Sequence, residues 1–127
     1  MWLPDEVENT KKIMIADDDP GIVDAVEIML DFEGYQVSST VNGSTLLDMQ
    51  SEFPDLLLLD IWMSGSDGRD ICRELKKREL TKGIPIIMIS ASRDIEKSAY
   101  DAGADDFLAK PFEIDDLLGK IRKHLEE

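Results

Sequence analysis

The sequence predicts an α/β domain in which a five-stranded parallel sheet is wound by helices on both faces. Three observations lead there. Short apolar runs alternate five times with longer stretches whose apolar residues recur at helical spacing. The most apolar runs, such as Leu56–Leu59 and Ile84–Ile89, are continuous rather than alternating, as in strands covered on both faces. Finally, parallel neighbours require right-handed crossovers of helical length, which five β-to-α alternations supply and few other folds use.

Lys12–Ala16 is a β-branched first strand, and Asp19-Pro20 after it has the form of a helix N-cap followed by proline at the first helical position. The first helix is expected over Pro20–Glu33, with Ile22, Val26, Met29 and either Leu30 or Phe32 inward and Gly34 as its stop. Tyr35–Ser39 is a second strand, and Gly43–Phe53 a helix carrying Leu46, Leu47 and Met49 on its face, closed by Pro54. The four leucines of Leu56–Leu59 form the third strand, ending at Asp60. A third helix is expected over Gly68–Arg78 with Ile71, Cys72 and Leu75 inward, and a fourth strand over Ile84–Ile89. Ile95–Ala102 is a short helix stopped by Gly103, Phe107–Ala109 a minimal fifth strand, and Ile114–Leu125 an amphipathic last helix on Ile114, Leu117, Leu118, Ile121 and Leu125. The first, third and fourth strands are the most apolar and are expected at the centre.

Composition limits what such a domain does. A chain of 127 residues holds one ordinary domain, and an apolar share of 43% is enough for a core. Residues 11–127 form the predicted domain, and 1–10 an acidic, frayed extension in which Trp2, Leu3 and Pro4 stand out. A net charge of −14 repels nucleic acid and anionic membrane. The single Cys72 rules out an internal disulfide or a CxxC motif and is assigned to packing. No apolar run reaches the roughly 18 residues of a membrane helix, and no leader pattern opens the chain, so a cytoplasmic protein is expected.

The chemistry gathers at strand ends. Asp17, Asp18 and Asp19 follow the first strand, Asp60 ends the third and Lys110-Pro111 follows the fifth. Ligands of open parallel sheets sit beyond the carboxyl ends of the strands where strand order reverses; in the order 2-1-3-4-5 that point lies between strands one and three and gathers Asp17, Asp18 and Asp60. Two carboxylates about 4 Å apart repel by roughly 4 kcal/mol at an effective dielectric near 20, so three ionised ones need a cation. Lys110 supplies one charge. An all-oxygen donor set without histidine or thiolate favours Mg²⁺ for the rest, with Mn²⁺ next. A carboxylate held between a metal and a lysine is placed to attack a phosphoryl group. Asp19, with Pro20 beside it, is assigned to capping alone, and His124 to the exposed C-terminal turn of the last helix.

Four segments together, IMIADDDP (13–20), LLLLDIWMSGSDG (56–68), IIMISA (86–91) and AGADDFLAKPF (102–112), resemble the receiver domain of two-component response regulators, in that family's order and spacing over almost the whole chain from Lys12. The resemblance implies the flavodoxin-like (βα)5 fold. It further implies Asp60 as phosphoacceptor, Asp18 as a direct Mg²⁺ ligand, Asp17 acting through metal-bound water, and the backbone carbonyl of Trp62 as the remaining protein ligand. Ser90 matches the switch hydroxyl and Lys110 the lysine that meets the phosphoryl group. Phe107 matches the switch aromatic, with plain core packing as the rival assignment. Trp62 and Ser92 stand where phosphosite chemistry would be modulated, and the family often has a cis bond at the position of Lys110-Pro111.

The function that this resemblance implies is a signalling switch rather than an enzyme. A histidine kinase or histidine phosphotransfer protein donates the phosphoryl group. The face formed by the fourth helix, fifth strand and fifth helix, with Ile95, Lys97, Tyr100 and Arg122 as candidate contacts, then meets an output domain or partner, or a second copy on phosphorylation. Two departures from the family pattern are Ser64, where proline is common and a less rigid loop is expected, and the large indole of Trp62, expected to shield the aspartyl phosphate from water. Rival functions are a degenerate receiver that binds partners without being phosphorylated, and a haloacid-dehalogenase-like phosphatase. The latter wants a second acid two residues after the nucleophile, where this chain has Trp62.

Overall fold

The computed structural model describes residues 11–63 and 65–125. The expected N-terminal extension and the expectation for Ser64 lie outside them. Five parallel strands form one sheet: β1 (Lys12–Ala16), β2 (Gln36–Thr40), β3 (Leu56–Asp60), β4 (Ile86–Ser90) and β5 (Asp106–Ala109), in the order β2-β1-β3-β4-β5. The register pairs Ile13 with both Val37 and Leu56, Leu57 with Ile86, and Met88 with Phe107. The helices are α1 (Pro20–Phe32), α2 (Gly43–Leu47), α3 (Gly68–Lys77), α4 (Glu96–Asp101) and α5 (Ile114–Leu125), and a two-residue ribbon pairs Trp62–Met63 with Ser66–Asp67.

Strand alternation splits the core into two layers. Leu57, Leu59, Ile86, Met88 and Phe107 face Leu46, Ile71, Cys72, Leu75 and Ala99 on one side of the sheet. Ile13, Ile15, Leu56, Leu58, Ile87, Ile89 and Leu108 face Val23, Val26, Leu30, Leu117, Leu118 and Ile121 on the other. Every residue of β3 and β4 is therefore buried, which is why their sequences are continuous apolar runs. Edge strand β2 is mostly polar and exposed. Burial pushes the Cys72 thiol up to about 11, as suits an inert packing residue.

Several boundaries differ from expectation. The second helix ends at Leu47 with Asp48 as its C-cap, well short of the expected Phe53. Glu52 at φ 55 turns the chain, Pro54 disfavours helical geometry at Phe53, and Asp55 is drawn to β1, donating to the Lys12 carbonyl at 2.7 Å and accepting the Lys12 N–H at 2.8 Å. The fourth strand begins two residues later than expected and ends one later, because the Ile84 N–H turns back to the Thr81 carbonyl and Pro85 has no N–H to give. The fourth helix opens with a 3-10 turn at Arg93–Ile95. On α1 the buried line is Val23, Val26 and Leu30, while Ile22 and Met29 are half-buried and Phe32 is 83% exposed.

Candidate functional site

The site forms at the carboxyl ends of β1, β3, β4 and β5, where β1 and β3 are neighbours whose following helices pack on opposite faces. Asp17, Asp18 and Asp60 each bring a carboxylate oxygen within 4.8 Å of the others. Asp17 and Asp60 are buried and Asp18 is exposed at the mouth. Lys110 reaches in from the end of β5, its Nζ 3.1 Å from Asp17 Oδ2 and 3.6 Å from Asp60 Oδ2. The Lys110 N–H donates to the Ser90 carbonyl at 2.8 Å, and the Lys110-Pro111 bond is cis.

Asp17 Oδ1 accepts the Asp19 N–H at 2.9 Å, but the buried Oδ2 accepts no well-aligned hydrogen bond even from Lys110. A buried carboxylate oxygen with an open lone pair, beside two further hard oxygen donors, fits a divalent cation. Without one, burial and then the charge of Asp17 push the Asp60 carboxyl up to about 6, against the opposing pull of Lys110.

Local sequence explains how the acids are held. Asp19 caps α1, its Oδ1 accepting the N–H groups of Gly21 and Ile22 at 3.0 and 3.3 Å, as its neighbour Pro20 foretold. The Gly68 N–H donates to the Ile61 carbonyl at 2.6 Å. A Cβ on Gly68 would stand 2.6 Å from the Asp60 carbonyl oxygen and 3.0 Å from Ile61 Cα, so the start of α3 lies against the Asp60 backbone only because this residue has no side chain.

The remaining candidates divide. Buried Ser90 accepts the Ser92 N–H on its Oγ at 3.0 Å, which leaves its own proton to donate. The Ser92 hydroxyl bonds to the Asp94 carboxylate. Phe107 is buried in the core layer shared with Met88 and Ala99. Trp62 is 55% exposed, and the Arg69 guanidinium lies over its ring at 5.1 Å. Arg122, expected among the contacts on the α4-β5-α5 face, pairs with Glu33 at the C-cap of α1 at 3.1 Å.

Sequence reasoning missed two features. Asp106, the first residue of β5, is buried and gathers Lys120 at 2.9 Å, His124 at 3.0 Å, its neighbour's Phe107 N–H at 3.0 Å and the Tyr100 hydroxyl at 3.4 Å. Burial raises its carboxyl, but the bonds from Lys120 and His124 outweigh this and bring it down to about 2. His124 is thus half-buried and engaged rather than a surface residue: an acid starting a strand beneath the last turns of α5 draws in the two polar side chains spaced four apart there, and that spacing was the available signal. The second is Arg69, whose role depends on the fold of the ribbon that precedes it.

The family described as the response regulator receiver domain matches residues 13–122. The chain is 39% identical over 115 residues to a DNA-binding dual master transcriptional regulator, RpaA, of Synechocystis, covering 87% of this chain but only 47% of that protein, so it spans about half the relative's length. It superimposes on a CheY-like response regulator receiver domain protein from Methanospirillum hungatei with TM-score 0.83 and 33% identity, covering 92% and 94% of the two chains. The receiver domain of a Pseudomonas aeruginosa sensor histidine kinase, solved with a magnesium ion coordinated in its active site cleft, gives TM-score 0.84 at 26% identity over 93% of this chain and 99% of that one.

Proposed function

The chain belongs to the response regulator receiver family, and from that premise we propose that it is a phosphorylation-controlled switch that takes a phosphoryl group from a phosphohistidine donor onto Asp60. The observation that carries the proposal is the buried Asp60 carboxylate at the end of a central strand, within 4.8 Å of Asp17 and Asp18 and 3.6 Å from Lys110. An Asp60 oxygen attacks phosphorus as the donor's N–P bond breaks, and the released imidazole takes up a proton. Lys110 balances charge on the phosphoryl oxygens, and Ser90 turns its free proton toward them.

Mg²⁺, held by Asp17, Asp18, Asp60 and the Trp62 carbonyl, would neutralise the acids and the incoming phosphoryl charge. Asp18 would hold the ion directly and Asp17 at one remove; Mn²⁺ would serve similarly. Ionised Asp60 is the nucleophile, so the same cation charge that relieves its repulsion also keeps it reactive at neutral pH. The half-exposed Trp62 limits water access to the aspartyl phosphate, and Ser92 adjusts the same approach. A faster loss of the phosphoryl group in Trp62→Ala is expected, and an unchanged rate would remove that role.

The donor is a histidine kinase or phosphotransfer protein. Its approach is across an apolar groove of about 470 Å³ between α1 and the start of α5, where Ile22, Met29, Phe112 and Ile114 lead to Lys110. Output passes through the α4-β5-α5 face, on which Tyr100 is exposed, to a partner, an output domain or a second copy. Buried Phe107 follows as the switch aromatic in a population shift between two states. The net charge of −14 argues against contact between this domain and nucleic acid, and no described helix is long and apolar enough to cross a membrane. A cytoplasmic location fits a phosphohistidine donor.

The test is incubation with Mg²⁺ and a small-molecule phosphodonor, followed by intact mass. One added phosphoryl group, absent in Asp60→Asn, is expected. A protein that never takes one up is an unphosphorylated interaction module instead, and steady release of phosphate from a stable ester would make it a phosphatase.

A further inference from the structure

Helices α1, α2 and α3 are closed at their first turns by the side chains of Asp19, Asn42 and Asp67, whereas neither α4 nor the 3-10 turn before it has a side-chain cap. A polar tie reaches α4 from elsewhere in the fold. Arg69 Nη1 donates to Ser98 Oγ at 3.0 Å, and the Ser98 hydroxyl donates onward to the Ile95 carbonyl at 2.9 Å. The same guanidinium grips Asp67 with a fork, Nε to Oδ1 at 3.0 Å and Nη2 to Oδ2 at 2.7 Å, and its central carbon lies over the Trp62 ring, 5.1 Å from the centroid. Asp67 in turn caps α3 through the Arg69 N–H and pairs with Trp62 in the ribbon. The fork fixes the guanidinium plane, so its bond to Ser98 and its contact with the Trp62 ring cannot move independently.

We propose that Arg69 is a positioning residue that couples the loop after Asp60 to helix α4, so that Trp62 and Ser98 shift together. The segment it anchors, 91–98, follows Ser90, whose Oγ holds the Ser92 N–H. A Ser90 hydroxyl that turns toward a phosphoryl group pulls on this segment at one end while Arg69 holds the other. Coupling of this kind is reciprocal: a partner bound on α4 is felt at Trp62 and alters how long the aspartyl phosphate persists. That last consequence rests on the phosphoacceptor reading above; the link itself does not.

The experiment uses the full chain with Trp2→Phe, so that Trp62 is the sole emitting indole. In the unphosphorylated protein, Ser98→Ala, which loses both bonds of the hydroxyl, is expected to shift Trp62 emission and to raise amide exchange over 93–101 more than fivefold, since loss of one ordinary hydrogen bond gives about fivefold in a local opening. Arg69→Lys, which keeps a cation but loses the fork and spares the Ser98–Ile95 bond, should loosen 93–101 about fivefold. Emission in Ser98→Ala superimposable on the parent's, with unchanged exchange in both variants, overturns the link. With Mg²⁺ and phosphodonor, Ser98→Ala should take up phosphoryl at the parent's level by intact mass yet lose the accompanying exchange response over 93–101. A surviving response overturns the coupling. Failure of every protein to take up phosphoryl sinks the acceptor reading instead, and the unphosphorylated comparison still decides the link.

Discussion

Replacing Asp60 with asparagine should stabilise the metal-free protein at neutral pH, although it removes the central group of the site. Three carboxylates within 4.8 Å of one another, two of them buried, are relieved only in part by Lys110, and the Asp60 carboxyl stands at about 6 rather than 3.8. Two unit charges at that separation repel by about 3 kcal/mol at an effective dielectric near 20, and the rise from 3.8 to about 6 corresponds to about 3 kcal/mol as well. A carboxyl raised on folding contributes stability that is fully present below its unfolded value, 3.8, and is lost as pH rises through about 6. In chelator, Asp60→Asn should therefore exceed the parent by about 3 kcal/mol at pH 7.5, by about half that at pH 5, and by nearly nothing below pH 4. Urea unfolding of both proteins across this range, at constant slope, measures the gap; groups common to both cancel. Excess Mg²⁺ should reverse the order at pH 7.5 by binding the parent more tightly. A gap independent of pH, or a parent more stable than Asp60→Asn at pH 7.5 in chelator, would refute the reasoning.

Three further outcomes are expected. Lys110→Ala should slow phosphoryl uptake by about a hundredfold, followed by intact mass with time, because it withdraws the cation 3.1 and 3.6 Å from the two buried acids. Gly68→Ala drives a Cβ into the Asp60 backbone and should cost about 1–3 kcal/mol in urea unfolding while weakening Mg²⁺ binding followed by Trp62 fluorescence. Asp106→Asn should cost roughly 2 kcal/mol at pH 7, the equivalent of the fall from 3.8 to about 2. The contribution of a depressed carboxyl is present above 3.8 and lost as pH falls through about 2, so the difference between variant and parent should narrow below pH 4.

Much of the fold was legible in the sequence because the signals were local. Alternating runs and helical periodicity produced the strands, and the leucines of β3 announced a strand covered on both faces. Asp19-Pro20 declared its own cap, and the acids and Lys110 stood at strand ends. The errors arose where distant groups decide. The second helix stops early because β1 draws Asp55 toward it, and His124 leaves the surface because Asp106 lies beneath α5. Both depend on contacts that no window of sequence contains.

The order of residues is enough to set which types stand at the ends of which strands, and hence a site of hard oxygen donors with one lysine. It takes the folded chain to bury Asp17 with one oxygen unsatisfied, to push Asp60 toward neutrality, and to join Trp62 to Ser98 through Arg69. Composition and periodicity act through near neighbours, and secondary structure answers to those. Burial, charge repulsion and the aim of a guanidinium fork depend instead on distances between chain segments brought together by the sheet.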